Sequence, residues 1–308
     1  MSSSKIRPPQ KFVETLRSTF GAAGEKLLRD LPCLLADSKA RWHLDLYAPF
    51  SNLSFNYVVP GRMRDGAEIV LKIGVPENKE LLTEMAALRL CNGKGMVRLI
   101  DAAPQQGVFL LERILPGVPL TGQPDDAVAT LIAAQTMRKI CLGVPEQHSF
   151  PSVAKWFEGL RRLRNRFAGR SGPLPEQLVS SAEDLSTELL SSAPAEVVLH
   201  GDLHHDNILS SSREGWVAID PKGVVGEPCY EVGAFMRNPI DLFTNPSEAV
   251  ATIARRFDIF AEVLGFDRKR TAAWAFAQAV LSAYWCLEDA GSGWEPSILC
   301  AQTLANFI

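Results

Sequence analysis

Residues 197–220 read VVLHGDLHHDNILSSSREGWVAID, and their pattern decides what kind of fold to expect. The apolar run Val197–Leu199 predicts a strand. His200-Gly201-Asp202 follows it, Asn207 stands five positions beyond Asp202, and Ile208-Leu209 resumes the apolar pattern. A Ser-rich turn then leads to Trp216–Ile219, which ends on Asp220. The order is strand, loop, strand, turn, strand, with polar groups in the loop and at a strand end.

Two carboxylates and a carboxamide delivered from neighbouring strand ends make an oxygen-rich set suited to a hard cation such as Mg²⁺. One acid is then in surplus. In phosphoryl transfer the metals neutralise phosphate charge, while a separate carboxylate orients the attacking hydroxyl and accepts its proton. On this reading Asp202 is the catalytic base, and Asn207 and Asp220 are the metal ligands. The pattern H-G-D-x-x-x-x-N followed by I-D resembles the catalytic and metal-binding segments of the aminoglycoside phosphotransferase superfamily. HGDLHHDNIL with SSREGWVAIDPKGVVGE narrows the resemblance to its aminoglycoside and hydroxyurea resistance kinases.

The resemblance implies an α+β, bilobal protein-kinase-like fold. Residues 1–113 would form a small antiparallel-sheet, nucleotide-binding lobe with leading helices, and residues 114–308 a mostly helical catalytic and substrate-binding lobe. It implies ATP as phosphoryl donor, Mg²⁺ as cofactor, and a hydroxyl of a cationic, streptomycin-type aminocyclitol as acceptor. Choline, an amino sugar, homoserine, fructosamine or hydroxyurea would use the same catalytic set.

With 308 residues and 46% hydrophobic content the chain can bury a large core. A net charge of -3 argues against a nucleic-acid binder and suits a cationic small molecule. The six cysteines are scattered with no C-x-x-C pair, so neither a zinc site nor a disulfide framework is indicated, and reduced thiols in the cytosol are the simpler account. MSSSKIRPPQ lacks the apolar core of a signal peptide. The uncharged stretch Thr271–Leu287 is too short to span a membrane, so it predicts a buried helix and no membrane partner.

From Trp42 a period of two appears: Trp42, Leu44, Leu46; then Phe55, Tyr57, Val59; then Ala67, Ile69, Leu71, Ile73. This predicts an antiparallel meander after N-terminal helical sequence. Lys72 is out of phase with Ile69, Leu71 and Ile73 and so projects from the opposite face of the sheet. Downstream, Leu81, Leu82, Met85 and Leu88 repeat at helical spacing, and Glu84 lies at the edge of that stripe. Lys72 and Glu84 are the expected pair in which a lysine holds the inner phosphates and a glutamate holds the lysine.

The resemblance places adenine on the backbone of Glu112, Arg113 and Ile114, a hinge closed by Pro116-Gly117, and a phosphate-cradling loop at Pro49–Phe55. No glycine-rich phosphate motif occurs there, so Ser51 and Ser54 are the candidate phosphate contacts. After the hinge the chain predicts helices over 125–142, 152–167, 175–190, 247–264, 268–288 and 295–307. The arginines from Arg161 to Arg170 read as a solvated helix face. His204 and His205 read as loop or substrate-side residues. Glu231, like Glu227 in G-E-P, is either a buttress of the catalytic loop or a substrate contact, and Glu288 and Asp289 are candidate carboxylates for a cationic substrate.

A dinuclear phosphoesterase is the sharpest rival, since Asp202-Leu203-His204 is a D-x-H. It would need further histidines downstream, and none follows residue 205. A catalytically silent nucleotide-binding protein would have lost one of Lys72, Asp202, Asn207 and Asp220, and all four are present.

Overall fold

The computed structural model describes residues 8–308, which fall into two compact units, one of residues up to 93 with 97–114 and one of 94–96 with 115–308. The first contains α1 (Gln10–Trp42), β1 (Leu44–Leu46), β2 (Tyr57–Met63), β3 (Glu68–Ile73), α2 (Lys79–Cys91), β4 (Leu99–Ala103) and β5 (Val108–Glu112). Its five strands form one antiparallel sheet in the order β1-β2-β3-β5-β4. One face carries Tyr57, Val59, Ile69, Leu71, Ile73 and Leu110, which share a core with Phe12, Leu16, Leu27, Leu31 and Leu35 of α1. The alternation in β3 that buries three of these residues turns Lys72 to the other face.

The expected meander is present, with two shifts of boundary. Trp42, expected to open the first strand, instead closes α1. His43 takes the left-handed conformation at φ 52, which ends the helix, and the Trp42 indole donates to Asp101 at 2.7 Å. Phe55, expected on the second strand, lies in the exposed turn before β2. The leading helix is kinked where Gly21 leaves helical geometry at φ 51.

The second unit contains β6 (Pro116–Pro119), α3 (Asp126–Ile140), β7 (Leu142–Gly143), α4 (Val153–Arg166), α5 (Glu176–Ser191), β8 (Val197–Leu199), β9 (Ile208–Ser211), β10 (Gly215–Ala218), β11 (Val224–Gly226), α6 (Val232–Met236), α7 (Pro246–Leu264), α8 (Arg268–Ala290) and α9 (Glu295–Leu304). Two small sheets, β10-β9-β6 and β11-β8-β7, are set among the helices. The core helix is α8, buried continuously from Thr271 to Leu281. No helix among the described residues is long and apolar enough to cross a membrane.

The arginine run on α4 is exposed at Arg161, Arg162 and Arg166, as expected of a solvated face, but three of its members also make contacts within the fold. Arg162 makes a two-point contact with Glu288 at 3.0 and 3.1 Å, Arg164 binds Glu183 at 2.7 Å, and Arg166 donates to the Leu287 carbonyl. These contacts tie α4 to α5 and α8.

Candidate active site

In the first unit, Lys72 Nζ lies 2.7 and 2.8 Å from the two carboxylate oxygens of Glu84. Lys72 is 3% and Glu84 6% exposed. Strand alternation aims the lysine at this face, and α2, started by the Asn78 side chain capping the Glu80 N–H, brings the acid to it. The Phe109 ring lies 5.4 Å from the ammonium. Ser51 and Ser54 are both exposed in the turn between β1 and β2.

At Glu112–Ile114 two backbone donors are already engaged. The Glu112 N–H donates to the Arg98 carbonyl at 3.0 Å and the Arg113 N–H to the Glu68 carbonyl at 3.1 Å. The Arg113 guanidinium also binds the Glu68 carboxylate. The expected adenine contacts therefore cannot use those two N–H groups without breaking strand-end hydrogen bonds.

In the second unit, the register of one hairpin positions the candidate metal ligands. β9 and β10 pair antiparallel with Ile208 opposite Ala218 at the open end. Asn207 and Asp220 flank this rung, and the Ile219 N–H donates to the Asn207 carbonyl at 2.9 Å. The Asn207 amide nitrogen donates to the Asp202 carbonyl at 2.9 Å. That bond fixes the amide's orientation, because a carbonyl can only accept, and it turns Oδ1 away from the Asp202 carbonyl. Asp220 is exposed and adopts φ 59, a left-handed backbone uncommon for aspartate and frequent at functional sites.

His200 stitches this turn to the loop that carries Asp202. Its Nδ1 accepts the Asp202 N–H at 3.2 Å and its Nε2 donates to the Ile219 carbonyl at 2.7 Å. Its own carbonyl accepts from Lys222 and Gly223. Burial pushes the imidazole down to about 4, so the ring is neutral with its proton on Nε2, as the two partners require. Gly201 adopts φ 82, and a Cβ there would sit 2.8 Å from Trp156. No other residue type fits beside that indole without movement.

Glu231 lies beneath the loop. Its carboxylate accepts the N–H groups of His200 at 2.6 Å and Gly201 at 2.9 Å and is 1% exposed. Burial pushes the carboxyl up to about 7, against the pull of the Gly201 and His200 amides. Of its two expected roles this geometry supports the buttress and leaves no surface for substrate.

His205, expected on the substrate side, is a correction of the same kind. It is 5% exposed and its ring stacks on Phe235 with centroids 4.0 Å apart. Burial and the nearby Arg256 push its imidazole down to about 3, so it is a neutral packing residue. Glu227 is likewise structural: it accepts from Arg270 at 2.5 and 2.6 Å and from the Trp274 indole at 3.0 Å. Glu288 is exposed but engaged by Arg162 and by the Tyr284 hydroxyl, and the Arg162 guanidinium holds its carboxyl below the usual range. Asp289, beside it, is exposed.

Arg237 is the residue near the base that the sequence reading missed. Its guanidinium nitrogen lies 3.9 Å from Asp202 Oδ1, and another nitrogen donates to Gln278 at 2.6 Å. The only signal for it is the lone cation in EVGAFMRNP, whose distance from residue 202 along the chain hides the contact.

Among the described residues no group of three or more His, Cys, Asp or Glu could hold a metal ion. A site of one carboxylate and one carboxamide fits Mg²⁺ all the same, because this ion keeps several waters and shares substrate phosphates instead of a full protein cage.

A sequence model of the aminoglycoside/hydroxyurea antibiotic resistance kinases matches residues 41–290. Streptomycin 6-kinase of Streptomyces glaucescens is 30% identical, over 99% of this chain and 98% of its own length. Hydroxyurea phosphotransferase of Kitasatospora aureofaciens is 32% identical, over 92% of this chain and 81% of its own. Among solved structures, a choline kinase from Streptococcus pneumoniae superposes with a TM-score of 0.63 at 14% identity, over 90% of this chain and 99% of that one. That last likeness establishes the kinase-like bilobal fold alone. The matched span contains Lys72, the catalytic loop and the Asp220 turn, and the chain belongs to the aminoglycoside/hydroxyurea antibiotic resistance kinases, a family of phosphotransferases.

Proposed function

We propose that this phosphotransferase moves the γ-phosphoryl group of ATP to a hydroxyl of a streptomycin-type aminocyclitol, with Mg²⁺ held by Asn207 and Asp220. The observation that carries the reading is the linkage of Asp202 to the metal-ligand hairpin: the Asn207 side chain is bonded to the Asp202 carbonyl, and the His200 ring joins the Asp202 N–H to Ile219. Similarity at 30% identity to a streptomycin 6-kinase, over almost the whole chain, supports the choice of acceptor.

Lys72, held by Glu84, contacts the inner phosphates, and Ser51 and Ser54 cap phosphate oxygens. The Ile114 N–H and the neighbouring carbonyls take the adenine edge, since the other two amides of that stretch are engaged. Bound Mg²⁺ would neutralise the phosphate charge. Asp202 orients the acceptor hydroxyl and receives its proton, and Arg237 steadies the Asp202 carboxylate. The transition state of such transfers is loose, so Asp202 acts chiefly by positioning. The spread of cysteines without a disulfide supports work in the cytosol.

Incubation with γ-labelled ATP and Mg²⁺ against streptomycin, other aminoglycosides, hydroxyurea and choline tests the reading. Label should pass to streptomycin in the wild type and to nothing in Asp202→Ala. Full turnover by that variant removes the base assignment, and transfer to hydroxyurea alone replaces the acceptor.

A further inference from the structure

The second unit carries a pair of half-buried tryptophans beside the base, and the proposed mechanism gives neither a role. Trp156, on α4, places its ring edge against Gly201, the residue before Asp202. Trp285, on α8, meets Trp156 edge to face, with centroids 5.5 Å apart and an interplanar angle of 89°. Both keep part of their surface open. The fully enclosed tryptophan of this unit behaves differently: Trp274 is 1% exposed and donates its indole N–H to Glu227. Two large aromatic faces left partly open next to a catalytic loop are costly as surface and valuable as a binding wall.

Charges of both signs stand around the wall. Burial raises the thiol of Cys286, the residue after Trp285; the Arg237 guanidinium opposes it, and Asp289 and Glu295 near this end of α8 add to it more weakly. Arg162 of α4 is paired with Glu288, and Arg166 donates to the Leu287 carbonyl. A positively charged group over an indole face is attracted by the ring quadrupole, and a saturated ring presents C–H groups to the same surface.

We propose that Trp156 and Trp285 form the acceptor-binding wall, which takes an organic cation on a saturated ring and presents one of its hydroxyls to Asp202. This deepens the kinase reading and rests on it. Trp285 is the specificity-determining residue, while Trp156 both lines the wall and fixes the approach of Gly201.

Isothermal titration of streptomycin into the nucleotide-free, full-length protein tests the wall without turnover. Trp285→Leu is expected to weaken binding at least tenfold, Trp285→Phe to restore it to within about threefold, and nucleotide affinity to stay unchanged in both. Affinity in Trp285→Leu within twofold of wild type overturns the proposal, as does a loss that phenylalanine fails to restore, or a wild type that binds no streptomycin. Parallel assays with labelled ATP separate the two readings. Binding that depends on Trp285 without phosphorylation sinks the kinase acceptor and leaves the wall, whereas phosphorylation indifferent to Trp285 sinks the wall and leaves the kinase.

Discussion

The Glu231 carboxylate accepts the backbone N–H of His200 at 2.6 Å from below the loop that carries Asp202. Its second oxygen takes the Gly201 N–H, so one buried side chain holds both residues that precede the base. Glu231→Gln keeps the volume but leaves one of these N–H groups facing a donor. A buried backbone donor without an acceptor costs about 1–3 kcal/mol. The denaturation midpoint should fall accordingly, and kcat should drop more than KM rises, because the loop is displaced and the acceptor wall is not.

Asp202 and Asp220 should separate in kinetics. Asp202→Ala is expected to reduce turnover at least a thousandfold with nucleotide affinity within a few-fold of wild type. Asp220→Ala should weaken Mg²⁺-nucleotide binding as well as turnover. Titrating Mg²⁺ against a fluorescent nucleotide analogue in both variants checks the assignment, and equal loss of nucleotide affinity in the two would remove it.

The buried Lys72–Glu84 pair makes a prediction about stability. Lys72→Met strands a carboxylate that is 6% exposed, and breaking a buried pair in this way costs about 3–5 kcal/mol. Lys72→Met with Glu84→Leu should regain most of that loss, since two apolar side chains can replace a buried ion pair, and yet remain inactive. Urea denaturation of the single and double variants measures the recovery, and activity in the double variant would remove Lys72 from the phosphate site.

Arg256 is 1% exposed, and it bonds Asp126 of α3 as well as the carbonyls of Phe235 and Asn238. It also lies 4.8 Å over the Phe235 ring that stacks on His205. Burial works to raise the Asp126 carboxyl, but its hydrogen bonds to Arg256 and Arg255 prevail and hold it below the usual range. A depressed carboxyl stabilises the fold above the unfolded value of roughly 3.9 and loses that contribution as pH falls through the folded value. Asp126→Asn should therefore be less stable than wild type by up to about 3 kcal/mol near neutrality, with the gap closing below pH ~4. Thermal melts across pH 3 to 7 read the convergence; a constant gap would place the loss elsewhere.

Much of this architecture is legible in the sequence because it rests on local periodicity. The alternation through Ile69, Leu71 and Ile73 puts Lys72 on the correct face, and the stripe of α2 puts Glu84 within reach of it. The strand-loop-hairpin order around Asp202, Asn207 and Asp220 is equally local. Trp42 was misplaced because a tryptophan closing a helix and one opening a strand share the same apolar signal, and only the left-handed His43 separates them. Glu231 and His205 are polar residues whose burial depends on chain segments distant in sequence. Arg237, just past the end of α6, and Trp156, on α4, reach the loop of Asp202 from distant parts of the chain, a proximity that no spacing rule encodes.

Because Asn207 and Asp220 lie just beyond the last rung of the β9–β10 pairing, in a sheet whose third strand is β6, their separation is set at the end remote from the Ser212–Glu214 turn. Lengthening the Ser212–Glu214 turn leaves that rung in place and costs the turn's own contacts with Gly95, Met96 and Leu115. Deleting one residue from β9 or β10 instead slips the pairing by one, and a side chain that pointed one way then points the other. Natural variation and engineered insertions in this segment should accumulate at the tip, and the four-residue strands should keep their length.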